Sequence, residues 1–140
     1  MFRHYGKTRT LRHNLRIASL LSFVAGIVST AGFFSVHQLT TNVTGHFAFF
    51  IEEVFKLNFA QSGIFFLYIF SFFIGSFVSN LLIEIIARKN ERYIYIVPTV
   101  IEIIILFLLG FYGEYLIENN PHFIAFSLLF AMGLQNSFVT

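Results

Sequence analysis

Apolar runs of about 20 residues recur along this chain of 140 residues, and they constrain its fold more than any other feature. A helix of that length, at 1.5 Å per residue, crosses the roughly 30 Å hydrocarbon core of a bilayer. The chain is 56% apolar and 11% charged, whereas a soluble domain carries about 25% charged residues. Because helices satisfy their own backbone groups in lipid, the runs predict an all-α polytopic transmembrane bundle.

Four spans are predicted within a membrane domain at residues 17–140, after a basic tail at residues 1–16. The spans cover about residues 17–36, 64–87, 93–116 and 122–140. Residues 37–60, between the first two spans, form a polar and amphipathic segment. Its apolar residues recur at helical spacing with Glu52, Glu53 and Lys56 opposite, which predicts a helix at the interface or leading into span two. In span three, Pro98 predicts a kink or a weakened turn.

The distribution of Lys and Arg predicts the orientation. Eight of the nine fall in residues 1–16 and 88–92, and the ninth is Lys56. Cytoplasmic loops carry the positive excess, so we expect the N-terminus in the cytoplasm. A cleaved signal peptide ending near residue 31 is the competing interpretation, but three more spans follow it. Beside a transmembrane helix we expect no nucleic-acid partner for the tail; the lipid bilayer is the partner.

Small residues recur four apart on the first two spans. Ser22 and Gly26 lie on span one, and Ser71, Gly75 and Ser79 lie on span two. Such ridges allow close approach of two helices, and packing is the main attraction between helices in lipid. The pattern predicts that spans one and two pack against each other.

Residues 40–47, Thr-Thr-Asn-Val-Thr-Gly-His-Phe, form a run of hydroxyls, an amide, a glycine and an imidazole inside an otherwise apolar sequence. Irregular backbone at membrane depth persists only inside protein or beside water. One interpretation is a broken or re-entrant segment that binds a small polar or ionic solute; the other is an outer loop with ordinary turn and capping bonds. The candidate binding residues are Thr40, Thr41, Asn42, Thr44, Gly45 and His46.

Three polar residues inside the later spans are further candidates. A carboxylate such as Glu102 near mid-membrane is expensive, so it serves either as a proton carrier or as a neutral, hydrogen-bonded group between helices. The amides of Gln135 and Asn136 either contact a solute opposite the polar stretch or join helices.

The sequence offers little ground for metal, cofactor or catalytic chemistry. His37 and His46, without Cys or Asp in the chain, are a poor metal set. The chain has no phosphate-binding glycine loop, nucleophile elbow or paired-carboxylate signature. We expect no metal, no cofactor, no catalytic residues and no enzyme activity.

Two short segments echo each other at an offset of 107 residues. Residues 23–29 read Phe-Val-Ala-Gly-Ile-Val-Ser, and residues 130–136 read Phe-Ala-Met-Gly-Leu-Gln-Asn. They would enter the membrane from opposite sides, and inverted repeats are characteristic of secondary transporters. A second copy of the Thr-Thr stretch would begin near residue 147, so we expect a repeat that is cut short.

Three motifs resemble the YoaK-like family of bacterial inner-membrane proteins. They are Gly26 with Gly32-Phe33, the stretch at residues 40–47, and Ala-Met-Gly-Leu-Gln-Asn at residues 131–136. The resemblance extends over residues 17–140. It implies about six spans and a second Thr-Thr-x-x-Thr-Gly stretch, so this chain ends about two helices short of the usual length. Many members carry Asp where this chain has Ser29, and the resemblance implies no established substrate.

Two functions are therefore expected. The first is a transporter-like protein that moves a small polar or ionic solute by alternating access around residues 40–46, with Glu102 as a proton-coupled group. The second is a structural or regulatory membrane protein that acts through helix, partner or lipid contacts. In either case a homodimer or another membrane chain would complete the bundle.

Overall fold

A computed structural model describes residues 11–88 and 94–139, and every regular element in these ranges is an α-helix. The helices are α1 (Leu11–Val36), α2 (Val43–Phe55), α3 (Phe59–Ala87), α4 (Ile96–Asn119) and α5 (Pro121–Val139). The all-α prediction is confirmed. Residues 1–10 of the predicted basic tail, residues 89–92 of the basic segment at 88–92, and residue 93 lie outside the described residues.

Within the described ranges, three helices have the length and apolarity to cross a membrane: the Ala18–Val36 part of α1, α3 and α4. The expected fourth span coincides with α5, which is helical over 19 residues but is not among those three. Helix α5 lies at the centre of the bundle. It contacts α1, α3 and α4, and Ala125, Leu129 and Leu134 are fully buried. A helix enclosed by other helices tolerates polar groups that a lipid-facing helix does not.

The tightest packing joins α3 to α5, which run parallel. Tyr68 contacts His122 and Ser71 contacts Phe126, at separations of 54 and 55 residues, so the register is nearly constant. Between these helices, a Cβ added at Gly75 would collide with the carbonyl of Phe130, and one added at Gly133 would collide with the backbone of α3. Two glycines thus bring two backbones into contact, as small residues do in membrane bundles.

The predicted pairing of spans one and two is wrong. The ridge of α3, including Ser71 and Gly75, packs on α5 instead of α1. On α1, a Cβ added at Gly26 would meet no heavy atom within 4 Å, and Ser22 is exposed. A small-residue ridge shows that a helix can approach closely, but it does not specify the partner.

Helix α2 lies antiparallel against α3, with the Phe50 and Phe66 ring centroids 6.0 Å apart. Its other apolar residues Phe47, Ile51 and Phe55 are exposed, and Phe47 lines an apolar groove with Phe66 and Phe70 of α3. An interfacial helix has one apolar and one polar face, whereas α2 packs apolar residues on α3 and exposes others. Phe49, three and four residues before Glu52 and Glu53, packs on α3, with its ring centroid 5.4 Å from that of Phe65.

A tight turn reverses the chain between α2 and α3. Leu57 adopts a φ of 59°, and its N–H donates to the carbonyl of Val54 at 3.0 Å. The N–H of Asn58 donates to the carbonyl of Glu53 at 2.9 Å, which completes a helix-ending motif usually built on glycine. The turn holds α2 against α3.

Helix α4 begins at Ile96, later than predicted, so Pro98 falls in its first turn. A proline there removes no helical hydrogen bond, because the first N–H groups of a helix have no partner within it. This is why Pro98 starts the helix and does not interrupt it. Pro98 is also buried.

Candidate functional site

Residues 37–42, which we call the return segment, fold back along α1 after that helix ends. The hydroxyl of Thr40 donates to the carbonyl of Val28 at 3.2 Å. The hydroxyl of Thr41 donates to Ser29 Oγ at 2.9 Å. Val28 lies eight residues before the last residue of α1, which corresponds to about 12 Å along a helix. The two threonines therefore sit well inside the bundle.

Two features of α1 allow this reversal. His37 adopts a φ of 54°, and its N–H donates to the carbonyl of Phe33 at 2.9 Å, so it ends α1 in a left-handed conformation. Gly32 is buried beneath Thr40, and a Cβ there would lie 2.5 Å from Thr40 Cγ2 and 3.0 Å from its Oγ1. Any larger residue at position 32 would push the return segment outward.

From this depth the chain turns outward again as α2. Asn42 caps the helix, since its Oδ1 accepts from the Gly45 N–H at 2.9 Å and from the Thr44 hydroxyl at 2.7 Å. Such capping satisfies N–H groups that the helix leaves without partners. Asn42, Thr44 and Gly45 thus form the start of α2, and only Thr41 of the polar stretch lines a polar cavity in the described bundle.

His46 is fully buried between the return segment and α3. Its Nε2 lies 2.7 Å from the carbonyl of Leu39 and donates to it, and its ring centroid is 5.2 Å from that of Tyr68. Its Nδ1 has no hydrogen-bond partner among the described residues. Burial lowers the pKa of His46, and the hydrogen bond to Leu39 opposes this lowering without cancelling it. A neutral imidazole therefore fixes the return segment to α2.

A cavity of about 200 Å³, which we call the polar cavity, lies below the tip of the return segment, between α1 and α5. Four polar side chains line it: Ser22, Thr41, Gln135 and Asn136. Apolar side chains form the rest of the wall: Ala18, Leu21, Ala25, Phe72 and Met132. Three of the residues predicted to bind a solute, from two distant parts of the chain, thus meet in one cavity.

The two amides of the polar cavity differ in their bonding. Gln135 is buried, and its Nε2 donates to the carbonyl of Leu21 on α1 at 3.1 Å. Asn136 is exposed toward the cavity and makes no side-chain hydrogen bond to the described part of the chain. Gln135 therefore joins two helices and also faces the cavity, whereas Asn136 has all its hydrogen-bonding capacity available.

Glu102 lies apart from the polar cavity. It is buried on α4, with 4% of its surface exposed, six residues after Ile96 and so about 9 Å from the start of the helix. It makes no hydrogen bond to the residues that the structure describes, and it is not among those lining the polar cavity. The described residues also contain no cluster of His, Cys, Asp or Glu that could hold a metal ion.

A pair of residues that the sequence did not single out joins α3 to α5. The hydroxyl of Tyr68 and Nδ1 of His122 share a hydrogen bond of 2.6 Å. Tyr68 is almost fully buried and packs on both His46 and Phe126, with ring centroids 5.2 and 4.9 Å away. Tyr68 could have been inferred to face another helix, because it lies three residues before Ser71 and so on the small-residue face of α3. Nothing in the sequence distinguished His122.

The regular structure in the described part of the chain is all helical. It contains three helices able to cross a membrane and a segment that folds back into the bundle, as in a membrane protein. The chain belongs to the family described as "Protein of unknown function (DUF1275)", whose model matches residues 17–140. These are the residues over which the YoaK-like resemblance extends. No curated protein and no solved structure matches the chain.

Proposed function

We propose that this chain carries a small polar solute across a bacterial inner membrane and binds it in the polar cavity. The observation that supports this most directly is the position of Thr41, which reaches back to Ser29 and lines the cavity together with Gln135 and Asn136. Irregular backbone at membrane depth is tolerated inside protein or beside a water-filled cavity. Transporters place such broken segments at their binding sites.

The proposal places four crossings in the membrane, α1, α3, α4 and α5, with α2 as a re-entrant half-helix. The N-terminus is cytoplasmic because eight of the nine Lys and Arg lie on that side. Helix α2 has 13 residues, or about 20 Å, too short to cross the hydrocarbon core. Its exposed Phe47, Ile51 and Phe55 then face lipid.

Alternating access would use the return segment as the outer closure of the polar cavity. Thr40 and Thr41 meet α1 at Val28 and Ser29, while the cavity extends along the earlier turns of α1 to Ala18. In this arrangement the solute enters from the cytoplasmic half. Separation of the return segment from α1 would open the other side.

Glu102 is the proposed proton-coupled group. A carboxyl buried in a membrane helix is costly unless it is neutral or paired, and Glu102 has no hydrogen-bonding partner among the described residues. Because Glu102 does not line the polar cavity, its protonation would be coupled to solute binding through the packing of α4 on α5. Reconstituted Glu102→Gln protein should lose the pH dependence of solute flux and keep solute binding.

The echo between residues 23–29 and 130–136 supports an inverted repeat as part of this proposal. The two segments lie on α1 and α5, which run antiparallel because Leu21 meets Gln135 and Gly32 lies beneath Leu128. Asn136 takes the place of Ser29, the residue that Thr41 contacts. Both equivalent positions are thus near the polar cavity.

Cysteine labelling tests the topology and the cavity together, because the chain contains no cysteine. Leu57→Cys and Asn119→Cys should react with a membrane-impermeant thiol reagent from outside, and Arg88→Cys only from inside. Ser22→Cys should react from the cytoplasmic side, while Asn80→Cys on α3 serves as a control outside the cavity. A Ser22→Cys that reacts from neither side would reject a water-accessible cavity and with it the proposed function.

A structural or regulatory role is the second candidate, and the open ridge of α1 favours it. A Cβ added at Gly26 would meet no described atom within 4 Å, and Phe23 and Ile27 beside it are exposed. A second copy of the chain or another membrane helix would pack there. A disulfide-linked dimer of Gly26→Cys protein in membranes, together with unchanged behaviour of Asn136→Leu, would favour this candidate over a solute carrier.

A further inference from the structure

The chemistry of the residues that line the polar cavity restricts the class of solute that it can bind. We propose that the polar cavity takes an uncharged molecule that carries an amide group, either a primary amide or a ring –CO–NH– unit. The inference rests on the proposed function, because it names the class of solute for the same cavity. Three properties of the wall support it: its charge, its hydrogen-bonding groups and its size.

Among the described residues, no charged side chain lines the polar cavity; its polar groups are two hydroxyls and two amides. Arg16 is the nearest basic residue along α1, but it precedes Ala18 by two residues and so lies about 200° round the helix from it. Glu84 and Arg88 are occupied with each other at 2.7 Å. An ion without a counter-charge in such a site would lose hydration without recovering it. The wall therefore favours a neutral solute.

The hydrogen-bonding groups of the wall complement an amide. Asn136 offers an N–H donor and a carbonyl acceptor side by side in one plane, and no described residue occupies them. Gln135 donates one N–H to Leu21 and retains its second N–H and its Oε1. A ligand with an adjacent N–H and C=O makes two parallel hydrogen bonds to such a side chain, as Asn and Gln do with the edges of bases.

The size and apolar surface of the cavity limit the rest of the molecule. Its volume is about 200 Å³, equivalent to roughly seven waters at about 30 Å³ each. Leu21, Phe72 and Met132 supply an apolar side. A single ring or a short chain fits this volume, and the apolar wall accommodates the part of the solute that lacks polar atoms. Uracil and valerolactam are probes of this size and chemistry.

The test measures binding of small probes to the full chain in lipid nanodiscs, by saturation-transfer NMR and by protection of Ser22→Cys from a thiol reagent. Uracil and valerolactam should bind at least tenfold more tightly than acetate, ammonium, sodium or glycine. Tighter binding of any of these charged probes would overturn the neutral class. If glycerol bound as tightly as the two amides, the requirement for an amide group would be overturned. Failure of both amides to bind would reject this solute class.

The wall residues provide matched variants. Asn136→Leu should weaken amide binding at least tenfold, whereas Asn80→Leu, at an exposed position on α3 outside the cavity, should leave it unchanged. Asn136→Asp keeps the size of the side chain but adds a charge, so it should lose amide affinity and gain ammonium affinity. Equal amide affinity in Asn136→Leu and wild-type protein would overturn the assignment.

The outcomes separate this inference from the proposed function. If Ser22→Cys is accessible from the cytoplasm and a charged solute protects it, the solute class fails and the carrier remains. If Ser22→Cys is accessible from neither side, the cavity is not a binding site and both proposals fail. Gln135 is left out of the variant set because it also joins α5 to α1, and its loss would affect folding.

Discussion

Helices α1 and α5 carry matching sequence patterns, yet they use them differently. In α5, Gly133 lies against the backbone of α3 so closely that a Cβ would collide with the Phe72 carbonyl. In α1, a Cβ at the corresponding Gly26 would have no heavy atom within 4 Å. Phe23 of α1 is 67% exposed, and its counterpart Phe130 is half-buried. The pattern permits close packing but does not require it.

The difference shows what fixes helix partners in this bundle. Lipid is as apolar as a leucine side chain, so helix association depends on packing and hydrogen bonds and not on hydrophobicity. Helix α5 has both, because polar contacts with Tyr68 and Ser71 precede its glycine contact with α3 along the two helices. Helix α1 joins the bundle at Val28, at Gly32, at the tip of the return segment and through the hydrogen bond from Gln135 to Leu21, while its small-residue ridge stays open. It is the more weakly held helix of the two.

The largest expected effect is at the glycine contact. Gly133→Ala should lower the free energy of unfolding by about 3 kcal/mol, because the colliding atoms belong to the backbone of α3 and the helices must separate. Gly26→Ala should change it by less than about 0.5 kcal/mol, because the site is open. Reversible unfolding in mixed detergent micelles would measure both. Equal losses in the two variants would mean that α1 is packed as tightly as α5.

The next effect concerns Gly32, the one position of α1 where a glycine is buried beneath a neighbour. Gly32→Ala should cost about 2 kcal/mol, because its Cβ would press on Thr40 Cγ2. Thr40→Ser removes that methyl group, so the double variant should recover about 1 kcal/mol of coupling energy. A strictly additive double variant would show that Gly32 does not support the return segment. Thr41→Ser is the control, since Thr41 does not contact Gly32 in this way.

Helix positions were predictable because long apolar runs and their interruptions mark them. The α3 helix begins five residues earlier than predicted, at Phe59, since Asn58 caps it. The bounds of α4 differ because Pro98 starts a helix more readily than it continues one. The fourth predicted span, residues 122–140, coincides with α5 at Pro121–Val139.

Sequence patterns could not predict which helices pack against each other. Periodicity gives a residue its face on a helix, and in a membrane protein the lipid-facing and helix-facing sides are both apolar. That is why Ser22 and Gly26 of α1 were wrongly paired with the ridge of α3. The polar candidates followed a clearer signal, since Thr41, Gln135 and Asn136 are unusual in apolar helices and meet in one cavity. Tyr68 and His122 had no comparable signal.

A third expectation requires no substitution. Amide hydrogen exchange in detergent micelles should be at least tenfold slower for residues 124–134 of α5 than for residues 20–27 of α1, a difference of about 1.4 kcal/mol in opening free energy. The reason is that α5 is enclosed by three helices, whereas most of α1 in that range is exposed. Similar protection of both segments would contradict the view that α1 is the weakly held helix.

The smallest expected effect compares a hydroxyl on the ridge of α3 with one on α1 that lies four residues after Gly26. Ser71 donates to the carbonyl of Phe126 across the contact between α3 and α5, at 2.9 Å. Thr30 donates to the carbonyl of Gly26 within its own helix, also at 2.9 Å. Ser71→Ala should cost about 0.6 kcal/mol, the average for hydrogen bonds between membrane helices. Thr30→Val keeps the shape and should cost nothing measurable, because its bond joins no second element. A larger loss for Thr30→Val than for Ser71→Ala would show that the open face of α1 is occupied in the membrane by another helix.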